Sequence, residues 1–560
     1  MRLVPEKCPV WAWIVPPLLL IAVVAVYAVD VLQWDEWVIW GELLHKIKAG
    51  TFGLADLAAQ QNEQRNMAAR VFGLLLMPLF KLNRFAEYGV NFLLAAGSFW
   101  AAVVLYGRTF RQRITPFVAL IFSMLSFSLL QWEAFTFGAN SSVLILPLGI
   151  WLGVLIAAGG PPSLLRLSAL AVVGILPSFS FANGLFYWFC LAPLLYMQAR
   201  KSGNVVRTLS IWGGLTALVW FLYFYSFQFP PQHPSLSGDL AAPFRMAGYF
   251  MAYLGSAVSS DKNLMPLAVA IGACSLCLLG RLLWDLLRCD DRDQWRAAMP
   301  WSCVMLFTLF SAGVTALARS GFGLAQALES RYASYATPYW MALFVLFLLA
   351  WKRDKTTHRL ILGRNFLVFC AGVFLLSTLL SFIVIRNREP RFAKARKALF
   401  SLTSDSDLAP IFPDTAYLFK QLPMLLADRL SLYRDIKRFD EYDKEDKAGG
   451  AFSVVEKMIG AQGQVKGLLL QGVVTRDQSG VPVLIVVGNR IVGVSTTREE
   501  YWELFLPTAW LPEGTVMVRA YAVLEGGERI APLAPEGGGG VAVAHGPEPE
   551  YSVSDYFFIN

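Results

Sequence analysis

Apolar runs of about twenty residues recur along this chain, separated by short polar stretches. Such runs are long enough to cross a bilayer core as helices. The pattern predicts spans at 10–30, 88–106, 114–131, 140–158, 165–179, 184–198, 208–227, 264–284, 299–318, 333–351 and 364–385. Two shorter segments, 66–80 and 244–259, read equally as spans or as helices lying at the interface. The expectation is therefore an α-helical polytopic membrane protein of about 11–13 transmembrane helices. Residues 1–30 resemble a signal peptide, with Arg2 and Lys7 before an apolar core. The run is longer than a usual signal core and carries Trp11, Trp13 and Trp34 at its ends, so a retained first span is the better reading.

Past residue 385 the pattern changes. Residues 386–460 are charged and read as a mostly helical connector, "YRDIKRFDEYDKEDKAGG" included. From 461 to 536, "VKGLLLQGVV", "VPVLIVVGNRIVGVS", "YWELFLP" and "GTVMVRAYAVLEGGERIAPL" alternate or run in β-branched residues. Gly488-Asn489 and Gly526-Gly527 fall where hairpin turns belong. A small β-sandwich is expected there, followed by a flexible tail at 537–560.

Composition supports the membrane reading. Of 560 residues, 56% are hydrophobic and 16% charged, below the roughly 25% charged of a soluble chain. The net charge of +8 is unevenly spread: Lys+Arg against Asp+Glu is 28 to 17 over residues 1–385 and 20 to 23 over 386–560. The excess belongs to the membrane half, where loop charges orient helices, and points to no nucleic-acid partner. Placing the clusters at 108–113, 200–207, 281–296 and 352–364 in the cytoplasm leaves 32–87, 132–139, 180–183, 228–263 and 319–332 on the outer face, with the C-terminal region. All seven cysteines precede residue 385, so no disulfide is expected in the C-terminal half. Cys274 and Cys277 lie inside an apolar helix and read as packing.

The polar residues of interest gather on that outer face. Asp35 and Glu36 stand between Trp34 and Trp37 in "VLQWDEWVIW". They either end a helix in the aqueous interface or supply a base at the headgroup boundary, where partial burial raises a carboxylate pKa. "QQNEQRNMAAR" carries Asn62, Glu63 and Arg65. It reads as a charged helix start, or as an acid positioning an acceptor beside an arginine that holds phosphate. Arg331-Tyr332 open a span, where an arginine is badly placed for the helix dipole and hints at an anionic ligand. Trp132, Glu133, Asn140 and Asn183 lie at other outer helix ends.

Other chemistries find little support. The histidines, His45, His233, His358 and His545, show no metal-ligand spacing. No cofactor is expected, and a divalent metal would lack a ligand cluster. There is no phosphate-binding glycine loop or nucleophile elbow, and no deep intramembrane acid or base of the kind a proton-coupled transporter uses.

A first span followed at once by "WDEW", a long outer loop, many spans and an outer C-terminal domain resembles the GT-C glycosyltransferases, with the plan of aminoarabinose transferases and protein O-mannosyltransferases. More narrowly, "WDEW" followed by "QNEQR" is similar to bacterial membrane proteins reading W-D-E-W and then H-N-E-H-R. Asn62, Glu63 and Arg65 match, while Gln61 and Gln64 replace both histidines. The C-terminal strands resemble sandwich modules appended to such transferases, some of them carbohydrate-binding. The resemblance implies a polyprenyl-phosphate-sugar donor entering from the lipid, a hydroxyl of a cell-envelope glycan, lipid or protein as acceptor, and inversion at the sugar. It implies Asp35 as general base, an arginine on the leaving phosphate, and residence in the cytoplasmic membrane with the site outside. The rival readings are a transporter or flippase of lipid-linked glycans and a non-catalytic scaffold of an envelope-polysaccharide complex. Oligomeric state is left open.

Overall fold

The computed structural model describes residues 8–229, 242–288, 291–353, 358–459, 465–475, 479–524, 526–536, 538 and 540–543. The middle of loop 228–263 with His233, as well as Cys289, Lys355 and the end of the tail with His545, lies outside the described residues. The chain divides into two compact units. One comprises Met1–Ala28, Gly53–Leu75 and Glu87–Arg386, and the other comprises Val29–Phe52, Leu76–Ala86 and Asn387–Asn560.

Among the described residues of the first unit and its flanks, eight helices are long and apolar enough to cross a membrane: Arg84–Phe110, Pro116–Thr136, Gly138–Ala158, Val205–Phe224, Lys262–Leu287, Arg292–Phe322, Ser330–Arg353 and Ile361–Ala398. Each overlays an expected span, so the chain is a multi-pass membrane protein. The expected spans at 10–30, 165–179 and 184–198 form shorter helices, Val15–Tyr27 (α1), Leu164–Ser178 and Phe186–Ser202. The two ambiguous segments become Met67–Phe80 and Pro243–Gly255. At 14 and 13 residues and 1.5 Å per residue, they reach about 20 Å, short of a ~30 Å hydrocarbon core.

Ser330–Arg353 is the axis of this unit, with 89% of its apolar window buried. A fully apolar face all round is what a helix in the middle of a bundle requires. Several of its polar groups are tied to neighbours: Tyr339 OH donates to Ser275 Oγ (3.0 Å), Trp340 Nε1 to Leu254 O (2.8 Å), and Thr308 Oγ1 to Tyr335 O (3.0 Å).

In the second unit, Asp35–Lys48 (α2) packs on Thr415–Ala427 (α3). Gly41 permits this approach, because a Cβ there would lie 2.6 Å from Gln421 Oε1. α3 packs in turn on the strands, where Trp510 Nε1 donates to Phe419 O (2.8 Å) and Phe505 N to Ser401 O (2.7 Å).

The strands are β1 Asp443–Lys444, β2 Gly450–Ile459, β3 Val465–Val474, β4 Pro482–Val487, β5 Arg490–Thr496, β6 Tyr501–Pro507, β7 Gly514–Val523, β8 Arg529–Pro535 and β9 Gly540–Val543. Their order β5-β4-β7-β8-β2-β3-β6, with β1 on β8 and β9 on β7, makes one nine-stranded sheet of barrel-like form. This pairing does not establish a two-layer sandwich. β5 and β6, at the ends of the path, pack together.

Two boundaries differ from the sequence reading. β2 lies in the stretch expected to be helical connector, because its alternation is interrupted by Glu456 and Lys457. β9 lies in the stretch expected to be flexible tail. Gly450 opens β2 at φ 152°, where a Cβ would meet Val473 O at 2.0 Å. Only glycine allows the β2–β3 ladder to begin there.

Candidate functional site

The acid pair of "WDEW" begins α2 and belongs to the second unit. The two carboxylates are sorted by burial. Glu36 is fully buried. Its Oε1 lies 3.2 Å from Arg84 Nη1, with both side chains at 0% exposure, and its Oε2 accepts from Gln33 N (2.9 Å). A buried pair with satisfied lone pairs is a structural tie, so a catalytic role for Glu36 is corrected to a positioning one. Asp30 completes the network. Its Oδ1 accepts from Arg84 N (2.9 Å), its Oδ2 pairs with Arg434, and its carbonyl accepts from Arg396 Nε (3.1 Å). Arg388 Nη2 donates to Gln33 Oε1 (2.6 Å). Four arginines thus fasten the segment 30–36.

Asp35 is half-buried at the first position of α2, where the helix dipole favours a negative charge. It follows Trp34, which sits at φ 44°, ψ −120°. A non-glycine residue in such a conformation costs about 1–3 kcal/mol and persists only when its surroundings impose it. Trp34 N donates to Ile411 O (2.7 Å), which holds the bend. Trp37 is 1% exposed and its Nε1 donates to Leu32 O (2.9 Å), so it packs inside the second unit and not at a surface. Half-buried Trp34 is the tryptophan beside Asp35.

"QNEQR" belongs to the first unit. Gln61 and Gln64 exchange backbone hydrogen bonds (2.7 and 3.0 Å), closing a tight turn with Asn62 at φ 56°. Asparagine tolerates that left-handed position. Gln61 Oε1 accepts from Asn66 Nδ2 (3.0 Å). The turn presents Glu63, which pairs with Arg319. Arg65 is buried and spends its guanidinium on backbone carbonyls, donating from Nε to Tyr223 (3.1 Å), from Nη1 to Ala58 (2.7 Å) and from Nη2 to Tyr225 (3.2 Å). Burial pulls it below its ordinary arginine value, partly offset by Tyr223. The expectation that Arg65 holds phosphate is corrected: its donors pin the loop to the end of Val205–Phe224. Arg70 ties the loop to the start of its own helix, donating to Ala59 O and Arg65 O (both 2.6 Å).

Arg331 and Glu133 meet at the start of Ser330–Arg353. Glu133 Oε2 accepts from Arg331 N (3.2 Å), and Ser330 Oγ accepts from Glu133 N (3.1 Å). Asn140 Nδ2 donates to Glu133 O (2.8 Å), so Asn140 holds Glu133 in place. Trp132 opens the same short turn and its carbonyl accepts from Thr136 Oγ1 (2.9 Å). Arg331 lies over the Tyr332 ring (5.6 Å). Asn183 is buried, with Nδ2 3.4 Å from Thr315 Oγ1.

Buried Tyr335 lies one helical turn after Arg331 in Ser330–Arg353, with its ring 6.3 Å from that of Phe181. Tyr253 stacks on Tyr332 at 5.3 Å, and Tyr249 OH donates to Gln326 Oε1 (3.3 Å). The buried hydroxyls of Ser311, Ser334 and Tyr335 have no hydrogen-bond partner among the described residues. Buried hydroxyls of this kind are costly unless a polar group or water satisfies them. The first unit therefore pairs Glu63 with Arg319 and Glu133 with the Arg331 backbone, at the ends of helices that carry buried tyrosines and serines. No group of metal-ligating side chains occurs among the described residues.

Sequence reasoning missed Arg319, Tyr335, Arg84 and Asp30. Arg319 had a visible signal, as the last residue of a long apolar helix in "ALARSGFG". Tyr335 lies one helical turn after Arg331 in "ESRYASYATPYW", and its burial has no sequence signal. No family model, curated protein or solved structure matches this chain.

Proposed function

We propose that the chain is a glycosyltransferase that moves a sugar from a polyprenyl-phosphate donor to a hydroxyl of a cell-envelope glycan, lipid or protein. The observation that carries this reading is the pair of acid–arginine contacts at the ends of two apolar helices, Glu63 with Arg319 and Glu133 with the backbone of Arg331. Two guanidiniums at the ends of apolar helices suit a phosphate that must stay close to lipid, and stabilising its developing charge is a large catalytic term. The unpartnered hydroxyls of Ser311, Ser334 and Tyr335 suit a polyhydroxylated group. Asp35 is the base in this proposal on the sequence pattern, supported by the strained Trp34 that sets its position. The finer expectations belong to the same proposal: eleven to thirteen spans, an outward site, the cytoplasmic membrane and a glycan-binding C-terminal domain.

The test is transfer in nanodiscs from a panel of polyprenyl-phosphate sugars, comparing wild type with Arg319→Gln, Arg331→Gln and Asp35→Asn. Loss of transfer in all three, with melting temperatures kept, supports the reading. Full activity of Arg319→Gln and Arg331→Gln with the true donor would overturn it. Donor movement across the bilayer without transfer would favour the flippase.

A further inference from the structure

A second polar site lies at the opposite end of the axial helix. Three spanning helices of the first unit end around a cavity of about 230 Å³: Met265–Leu287, Arg292–Arg319 and Ser330–Arg353. Its polar lining is Arg281, Asp285, Arg288, Gln294 and Arg353, with leucines and alanines beneath. Three cations against one carboxylate leave the lining with a net charge of +2.

The site has built features. Arg281 Nη2 is held by Asp285 Oδ1 at 2.5 Å, one turn along the helix, while Arg281 Nε is buried and has no hydrogen-bond partner among the described residues. A buried guanidinium N–H without an acceptor is expensive. Arg288 stacks on Trp284 at 4.3 Å. Trp284 and Leu287 are exposed on the flank of the bundle (48% and 65%). An aromatic ring under a cation beside exposed apolar side chains is the arrangement found where headgroups meet acyl chains. Lys352 and the arginines at 292, 296 and 364 make this the basic end of the bundle, the end that faces the cytoplasmic leaflet by the positive-inside rule. Anionic lipids there are drawn to basic pockets between spanning helices.

We propose that this cavity binds the phosphate of an anionic phospholipid headgroup, with Arg281, Arg288 and Arg353 as its cationic contacts. The apolar flank of Trp284 and Leu287 selects a lipid over a free phosphate ion. The site is separate from the transfer chemistry proposed above and does not depend on it.

The experiment is native mass spectrometry of the full chain released from nanodiscs containing phosphatidylglycerol or phosphatidylcholine. Wild type is expected to retain phosphatidylglycerol over phosphatidylcholine. Arg281→Gln combined with Arg353→Gln should weaken that retention about 25-fold, from the loss of two surface-lipid cations. Arg353 is exposed, so Arg353→Gln alone carries the test if the double variant folds poorly; it should lower retention about fivefold. Arg281→Lys should keep most of the binding. Equal retention of the two lipids, or unchanged phosphatidylglycerol adducts in Arg353→Gln, would overturn the proposal. Displacement of the lipid by millimolar inorganic phosphate would assign the site to a soluble phosphate and overturn the lipid assignment.

Discussion

Glu36 and Glu63 look alike in sequence. Each follows an acid or amide, lies near an apolar helix and has an arginine within reach. The structure gives them different work. Glu36 is sealed against Arg84 with no exposure on either side. Glu63 meets Arg319 where both side chains stay about one-fifth exposed (23% and 17%). A sealed pair is committed, because separating it strands a charge in a low-dielectric interior. A pair that keeps solvent contact can exchange its partner for a ligand at lower cost. Burial, which the sequence does not record, separates the sealed acid from the one that keeps solvent contact.

The comparison breaks most sharply inside "WDEW" itself. Asp35→Asn should lower transfer about 10²–10⁴-fold, the usual worth of a general base, with the melting temperature unchanged. Glu36→Gln should do the reverse. Leaving Arg84 buried and uncompensated costs about 3–5 kcal/mol, read as a large drop in melting temperature or in folded yield. If Glu36→Gln melts like wild type while losing activity, the division of labour between the two carboxylates is wrong.

The other acid sharpens the contrast. Arg319→Gln should reduce transfer by about 10²–10³-fold, as for loss of one donor to a developing oxyanion, with little change in stability. Arg65→Gln should instead destabilise, because Arg65 ties three backbone carbonyls rather than a ligand. Thermal melts and transfer assays on the same preparations distinguish the two arginines.

The smallest effect concerns a carboxylate that is buried without a countercharge. Asp414 caps α3 through Ala416 N (3.0 Å), but its Oδ2 is buried with no partner among the described residues. Burial raises its pKa, and the N–H groups of Tyr417 and Ala416 offset this in part. Because the folded value lies above the unfolded one, Asp414 stabilises the fold most at acid pH. That contribution is lost as pH rises through the raised value. Asp414→Asn should therefore be more stable than wild type at neutral pH by about 1 kcal/mol, with the difference vanishing as pH falls to the ordinary carboxylate range. Melting temperatures of both proteins across that range decide it.

The spans were legible in the sequence because crossing a bilayer demands about twenty apolar residues in succession, a one-dimensional requirement. Eight helices follow from it directly. The strands from Val465 to Pro535 were legible for a similar reason: alternation and Gly-Asn or Gly-Gly turns are local signals. Their assembly into one barrel-like sheet was not, because β2 pairs with β8 and β3 with β6 across long sequence separations. The Asp35 segment was visible as an acid pair after an apolar run, and Glu63 and Arg331 as charges at helix ends.

Which of those charges face each other was decided only by tertiary structure. Asp30, Glu36, Arg84, Arg388, Arg396 and Arg434 are drawn from four stretches up to about 400 residues apart, and no spacing rule connects them. Tyr253 and Ser311 hide in runs that read as largely apolar, since a hydroxyl matters only once packing has removed it from water. Hydrophobic length is additive along a chain and can be read from it. The exposure of a charge, and the identity of its partner, exist only after the chain has folded.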